Sequence, residues 1–179
     1  MSKYLQNNTI KLRALEPEDL ELLYNWENDS SIWGLSNTLV PYSKFALKNY
    51  IENSSKDIFE AKQLRLIIEL NKTKEAIGTI DLFDIDFYNS RAGVGILIAE
   101  KKHRKLGYAH KSLKLLATYV FEYLGLFQLY CDISEDNLNS LKLFESLGFK
   151  TTGKKEKWTK KGNLFDNVLF LQLFCKSES

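Results

Sequence analysis

Apolar positions change their spacing several times along this chain, and each change marks an element. Ile10–Ala14 alternates apolar with polar and reads as a strand. From Pro17, a residue suited to the first turn of a helix, Leu20, Leu23 and Tyr24 recur at helical spacing, so 17–28 reads as an amphipathic helix. A loop over 37–42 follows, and Ser43 then offers an N-cap to a second helix carrying Leu47, Tyr50 and Ile51 on one side. The period then falls to that of strands. Leu64–Leu70, 76–85 and 93–99 are apolar runs separated by polar turns at 71–74 and 86–91, which predicts an antiparallel meander. Helical spacing returns over 107–125, where Leu113, Leu116, Ala117, Val120, Phe121 and Leu124 share a face and Gly125 suits the C-cap. A strand at 128–133, a short helix at 139–147 stopped by Gly148, and a hairpin of 149–158 with 165–175 about the turn 160–163 complete the chain.

The order β, α, α, β, β, β, α, β, α, β, β is that of an α/β (α+β) domain. It implies a mixed, largely antiparallel central sheet flanked by helices, with one parallel crossover from 93–99 through 107–125 to 128–133. No repeat or linker interrupts it, so 1–179 is expected to be a single domain with its core over about 10–175.

Composition narrows the class. The chain has 179 residues and is 44% hydrophobic, enough to build a core without disulfide or metal staples. Lys and Arg number 25 against 23 Asp and Glu, a net charge of +2, which as a total argues against a nucleic-acid binder. Cys131 and Cys175 are far apart and have no metal-ligand or disulfide spacing, so two reduced thiols and no metal are expected. The first ten residues hold no apolar signal segment, and no apolar run approaches a membrane span. The expectation is a cytoplasmic protein without membrane contact.

Charge resolved along the chain says more than the total. Residues 101–114 carry Lys101, Lys102, Arg104, Lys105, Lys111 and Lys114 with no acid. They lie between an apolar strand and a long helix, with the small residues Gly107 and Ala109 at the junction. Unpaired N–H groups at a helix start, beside a glycine that admits close approach, suit a phosphate or pyrophosphate. A solvated basic turn has the same composition. Residues 14–29 are the opposite: Glu16, Glu18, Asp19, Glu21, Glu27 and Asp29, with no Lys or Arg.

Two motifs turn this pattern into a resemblance. Arg104-Lys-Leu-Gly107-Tyr-Ala109 follows the strand Gly93-Val-Gly-Ile-Leu-Ile98, and Asn137-Leu-Asn-Ser140-Leu-Lys-Leu-Phe144-Glu-Ser-Leu-Gly148-Phe149 comes about thirty residues later. Together they resemble the two signatures of the GCN5-related N-acetyltransferase (GNAT) superfamily, and the element order agrees over nearly the whole chain. Ile10-Lys-Leu-Arg13 followed by Glu18-Asp19 is most similar to the branch holding ribosomal-protein N-terminal acetyltransferases and spermidine acetyltransferases.

The resemblance implies acetyl-CoA as co-substrate and direct transfer of its acetyl group to a primary amine. Backbone N–H groups of Arg104, Lys105, Leu106, Gly107, Tyr108 and Ala109 would hold the pyrophosphate. Ile98 and Ala99 would pair with the pantetheine arm, and Asn137 and Ser140 would flank it. Both of the latter also suit helix capping. Phe144 stands where many members carry a tyrosine that protonates the leaving thiolate, and a phenyl ring has no proton to give.

On the amine side, Asp81, Asp84 and Asp132 lie near strand ends, and Asp81 and Asp132 are the candidate bases. Regular alternation sends Asp81 and Asp84 to opposite faces, so at most one serves the site. Glu27 and Trp33 are candidates for the acceptor wall, and Trp26, Tyr42 and Tyr50 could join them. The expected acceptor is a small amine or polyamine, or a peptide N-terminus, with a homodimer as a possible assembly. A CoA-binding module without turnover is the alternative.

Overall fold

The computed structural model describes residues 3–31, 33, 40–54 and 56–175. Residues 37–39 of the expected loop lie outside these.

Seven strands form one sheet in the order β1-β2-β3-β4-β5-β7-β6. They are β1 (Ile10–Ala14), β2 (Leu64–Leu70), β3 (Ala76–Asp86), β4 (Arg91–Ile98), β5 (Gln128–Ser134), β6 (Lys150–Lys161) and β7 (Leu164–Phe174). Every pairing is antiparallel except β4 with β5. The meander and the single parallel crossover read from the sequence are both present.

The helices include α1 (Leu20–Glu27), α2 (Lys44–Asn53), α3 (Ile58–Ala61), α4 (Tyr108–Thr118) and α5 (Leu138–Ser146). A 3-10 turn at Pro17–Asp19 precedes α1, and Ser43 caps α2 by accepting from the Ala46 N–H. The short α3, capped by Asp57, was not legible as a helix. The helix expected over 107–125 is α-helical only to Thr118, and Tyr119–Tyr123 continues it as a π-helical turn with the Tyr119 and Tyr123 rings stacked.

Strand alternation divides the core between the two faces. On one, Ile80, Leu82, Val94, Leu129 and Cys131 pack with Leu113, Leu116 and Val120 of the long helix and with Leu141 and Phe144 of α5. On the other, Ile67 and Leu97 pack with Leu23 and Trp26 of α1 and Leu47 and Ile51 of α2. That second cluster takes in none of β5, β6 or β7. On the half of the face built by those strands a cleft opens, lined by Gln128, Tyr130, Phe170 and Gln172.

Candidate active site

The parallel pair does not run its full length. β4 pairs with β5 only from Arg91↔Gln128 to Gly93↔Tyr130. β4 stays on β3 as far as Ile98, and β5 stays on β7 as far as Ser134. Beyond Gly93 and Tyr130 the two strands therefore part, leaving a fork whose arms hold backbone N–H and C=O groups with no strand between them. An unpaired backbone edge inside a sheet calls for a partner.

At the open end of β4 the chain turns through a 3-10 segment, Lys101–His103, into α4. Arg104 braces this junction. Its Nε donates to Ile98 O at 2.8 Å, its guanidinium NH2 group donates to Ala99 O at 3.1 Å, and its N–H donates to Lys101 O. The Ala99 N–H donates to Ile77 O, so much of what Arg104 and Ala99 offer is spent inside the protein. What stays open is the turn itself. Lys105 and Gly107 have φ of +63° and +80°, and α4 starts at Gly107 with no side-chain cap. A Cβ placed on Gly107 would meet nothing within 4 Å, so the space over the helix start is free. Leu106 is exposed and Tyr108 and Ala109 half-buried. Left-handed backbone at two positions of one turn makes a concave run of N–H groups, the geometry that takes a pyrophosphate. Of the nearby cations, Lys102 pairs with Glu75 at 2.6 Å and Lys111 donates to Thr9. Lys101, Lys105 and Lys114 enter no ion pair among the described residues.

Asn137 is the N-cap of α5, its Oδ1 accepting from the Ser140 N–H at 3.2 Å. Capping thus occupies that oxygen. Phe144 is buried and packs edge-on against Phe149 with ring centroids 5.0 Å apart, so it is a core residue.

On the α1–α2 face, beside the fork, Arg65 joins two of the expected residues. Its NH1 group lies 2.6 Å from Glu27 Oε1, and its Nε lies 2.5 Å from Asp81 Oδ1. Arg65 and Asp81 face each other in the β2–β3 register, and the Tyr50 ring stacks below the guanidinium at 5.4 Å. One cation between two carboxylates leaves a formal charge of −1. Burial pushes the Asp81 carboxyl above its usual range, and Arg65 does not bring it back down. A cavity of about 180 Å³ adjoins the group, lined by Tyr50, Gln63, Asp81, Phe83 and Gly95. Trp33 donates from Nε1 to Glu27 O at 2.8 Å and so closes the end of α1. Trp26 donates to Glu100, tying α1 to the junction ahead of α4.

Asp132 is elsewhere. It lies on the β5 arm, exposed and 2.8 Å from Lys155, and is not part of the Arg65 group. Asp84 corrects the alternation argument. The β3–β4 register shifts between Phe83 and Asp86, Asp84 has φ +48°, and it lines one cleft of about 870 Å³ together with Tyr130. Tyr130 also packs edge-on to Phe83, whose ring lies across Gly93 so closely that any Cβ there would collide with it. A bulge has turned Asp84 back to the face that Asp81 shares.

Sequence reading missed Arg65 and Tyr130. The signal for the first was available: an arginine at the start of the apolar run LRLIIEL, in a strand that turns buried from the next residue on, calls for a carboxylate partner. Burial pushes the Cys131 thiol up to about 12, which removes it as a nucleophile. Among the described residues no group of three His, Cys, Asp or Glu side chains forms a metal site, and no helix is long and apolar enough to cross a membrane.

Comparison with known proteins agrees with the geometry. The family model described as an acetyltransferase (GNAT) domain matches residues 9–150. The spermidine N(1)-acetyltransferase of Escherichia coli (strain K12) is 28% identical over 150 residues, which cover 82% of this chain and 76% of that protein. The crystal structure of spermidine N-acetyltransferase from Vibrio cholerae in complex with CoA and spermine superposes with a TM-score of 0.83 at 25% identity, covering 94% of this chain and 96% of the other. A dodecameric structure of the Vibrio cholerae enzyme superposes at 0.77 and 24% identity, covering 94% and 95%.

Proposed function

Because the chain belongs to the GNAT acetyltransferase family and is an acetyl-CoA-dependent N-acetyltransferase, we propose that its acceptor is a primary amine of a polyamine such as spermidine. The observation that carries this is the Glu27, Arg65 and Asp81 group, with its surplus negative charge beside the fork. The relatives named for spermidine point the same way.

Bound acetyl-CoA supplies an activated thioester carbonyl. The chain's own residues bind, orient and move protons. N–H groups of the turn 105–109 hold the pyrophosphate, and Arg104 keeps that turn fixed to the end of β4. The pantetheine arm lies in the fork along Ile98 and Ala99, with Asn137 and Ser140 on its far side. Glu27 and Asp81 draw in the ammonium, and Asp81 accepts its proton so that a neutral amine faces the carbonyl. A carboxyl whose pKa is raised is a better base near neutral pH than an ordinary one. Phe144 contributes no proton, so the thiolate takes, through water, the proton that the nitrogen sheds as the amide forms, which a leaving group with a reference pKa of about 8.5 permits. We also take the chain to self-associate, as the dodecameric Vibrio cholerae enzyme does. A homodimer is the smallest such assembly.

The test is thiol release from acetyl-CoA with a panel of polyamines, a peptide with a free N-terminus and an aminoglycoside. Release stimulated most by spermidine or spermine supports the reading, and CoA binding with no amine-stimulated release defeats it. In parallel, Gly107→Glu is expected to weaken acetyl-CoA binding by about 100-fold or more, since it puts an anion where the pyrophosphate belongs. The fold should survive, because the substitution meets no neighbour and costs only backbone strain of about 1–2 kcal/mol at this left-handed position.

A further inference from the structure

Arg65, Asp81 and Gly95 lie opposite one another on β2, β3 and β4, so the three positions form one row across the α1–α2 face. The next strand, β5, has already parted from β4 at Gly93. The row therefore runs from a cation through an anion to a glycine on the lip of the fork. Gly95 also lines the cavity of about 180 Å³, together with Tyr50, Arg65, Asp81 and Phe83. It borders the Asp81 carboxylate on one side and the fork on the other, and an amine and a thioester must meet between those two.

The cover over β4 shows how much room the amine has. Positions 93, 95 and 97 face the same way by strand alternation. The Phe83 ring lies across Gly93, and Leu97 is packed into the α1–α2 cluster. The position between them is bare. A Cβ built on Gly95 would meet only the Phe83 ring, at 3.8 Å. That is van der Waals contact between carbons, so the gap takes one carbon there, and a second carbon branching towards Phe83 would overlap the ring. Gly95 is not among the glycines of positive φ, so the backbone does not require a glycine at this position.

We infer that Gly95 is the floor of the acceptor site and that the gap above it selects a primary amine carried on an unbranched carbon. The inference rests on the acetyltransferase reading above and deepens it by naming the class of amine admitted. The ends of a polyamine qualify, and a peptide N-terminus whose α-carbon bears a side chain does not. An ammonium seated over Gly95 stands next to Asp81 and continues the alternation of charge that starts at Arg65. Phe83 sets the width of the gap, and the missing side chain at 95 sets its depth.

The test uses the full-length protein and follows thiol release from acetyl-CoA. The acceptors are spermidine, an analogue with a methyl on each carbon that bears a primary amine, and two peptides that begin with glycine and with alanine. For the wild type, kcat/KM for spermidine should exceed that for the branched analogue by about tenfold or more, the usual worth of one misplaced methyl in a fitted pocket. Gly95→Ala should lower kcat/KM for spermidine by about tenfold or more, while calorimetry shows acetyl-CoA affinity within about twofold. Its Tm should be unchanged or higher, since alanine fits an unstrained strand position and restricts the unfolded chain. Phe83→Ala should act the other way and bring the two amines to within about threefold of each other. Equal wild-type rates for spermidine and its branched analogue, or unchanged spermidine kinetics in Gly95→Ala, would overturn the gap while the polyamine assignment stands. A proportional loss of acetyl-CoA affinity in Gly95→Ala would overturn it too. Release with the glycine-started peptide, but with neither the alanine-started one nor a polyamine, would defeat the polyamine assignment and support the gap, because the α-carbon of glycine carries no branch. No release with any amine would overturn both.

Discussion

Two arginines on one face of this sheet each bridge two carboxylates, and they do opposite things. Arg13 donates to Glu69 at 2.6 Å and forks onto both oxygens of Asp19 at 2.7 and 2.8 Å. Lys11 adds a second cation at 2.8 Å from Glu69, and the Glu16 N–H donates to Asp19. Two cations meet two anions, and every charge is answered. Burial pushes both carboxyls up, but their partners overcome it and hold Asp19 and Glu69 below the usual range. Around Arg65 one cation meets two anions, a cavity adjoins, and Asp81 is held above its usual range. The difference shows how to tell a brace from a site built of the same residue types. In the brace the last hydrogen bond is made within the protein, and in the site one charge is left for something else.

Breaking each arginine sharpens the contrast most. Arg13→Ala leaves two buried carboxylates without their shared partner and is expected to cost about 3–5 kcal/mol in denaturant unfolding. Arg65→Ala should cost less than half of that, because Asp81 borders a cavity and can take up a proton. Its main effect falls on turnover instead. A comparable stability loss for the two would erase the distinction.

The next effect is kinetic. Asp81→Asn should lower kcat/KM by about 10²–10⁴, the usual range for loss of a positioned base, with stability changed by no more than about 1 kcal/mol. Since the carboxylate form is the active one, wild-type kcat/KM should fall as pH drops through the raised pKa of Asp81, and so at a higher pH than an ordinary aspartate would give. A pH–rate profile in which Asp81→Asn keeps that acid limb would assign the base elsewhere. Asp132→Asn serves as the control, expected to leave kcat/KM within about threefold as an exposed ion pair should.

The smallest effect is on acid stability. Asp19 and Glu69 have lowered folded-state pKa values, so their contribution is fully present above the unfolded carboxylate range of about 4 and is lost as pH falls through the folded values. Unfolding free energy measured from pH 7 down to pH 2 should fall for the wild type and fall less steeply for Arg13→Ala. Parallel curves would show that Arg13 does not set these carboxyls.

Much of the scaffold was legible because it is local. Ser43 at the start of α2 and Asn137 at the start of α5 are caps read from residue type and position. The polar turns at 71–74 and 86–91 separated strands that do pair antiparallel. The phosphate-type turn was legible for the same reason, since a glycine, a run of lysines and a helix start lie within a few residues. Asp84 was misplaced because strand alternation presumes a regular strand, and the bulge depends on how 83–86 meets β4. Arg65 was overlooked because its two partners come from α1 and β3, 38 and 16 residues away.

The sequence by itself determined the seven strands, the longer helices, their order, the parallel crossover and the turn that leads into α4, because periodicity, capping and glycine placement act over a few residues. Only the tertiary structure decided that β4 and β5 part after Gly93 and Tyr130, that Arg65 stands between Glu27 and Asp81, and that Asp84 lines one cleft with Tyr130. These features depend on strand register and on pairings between residues distant in the chain, where one residue of slip would send each side chain to the other face.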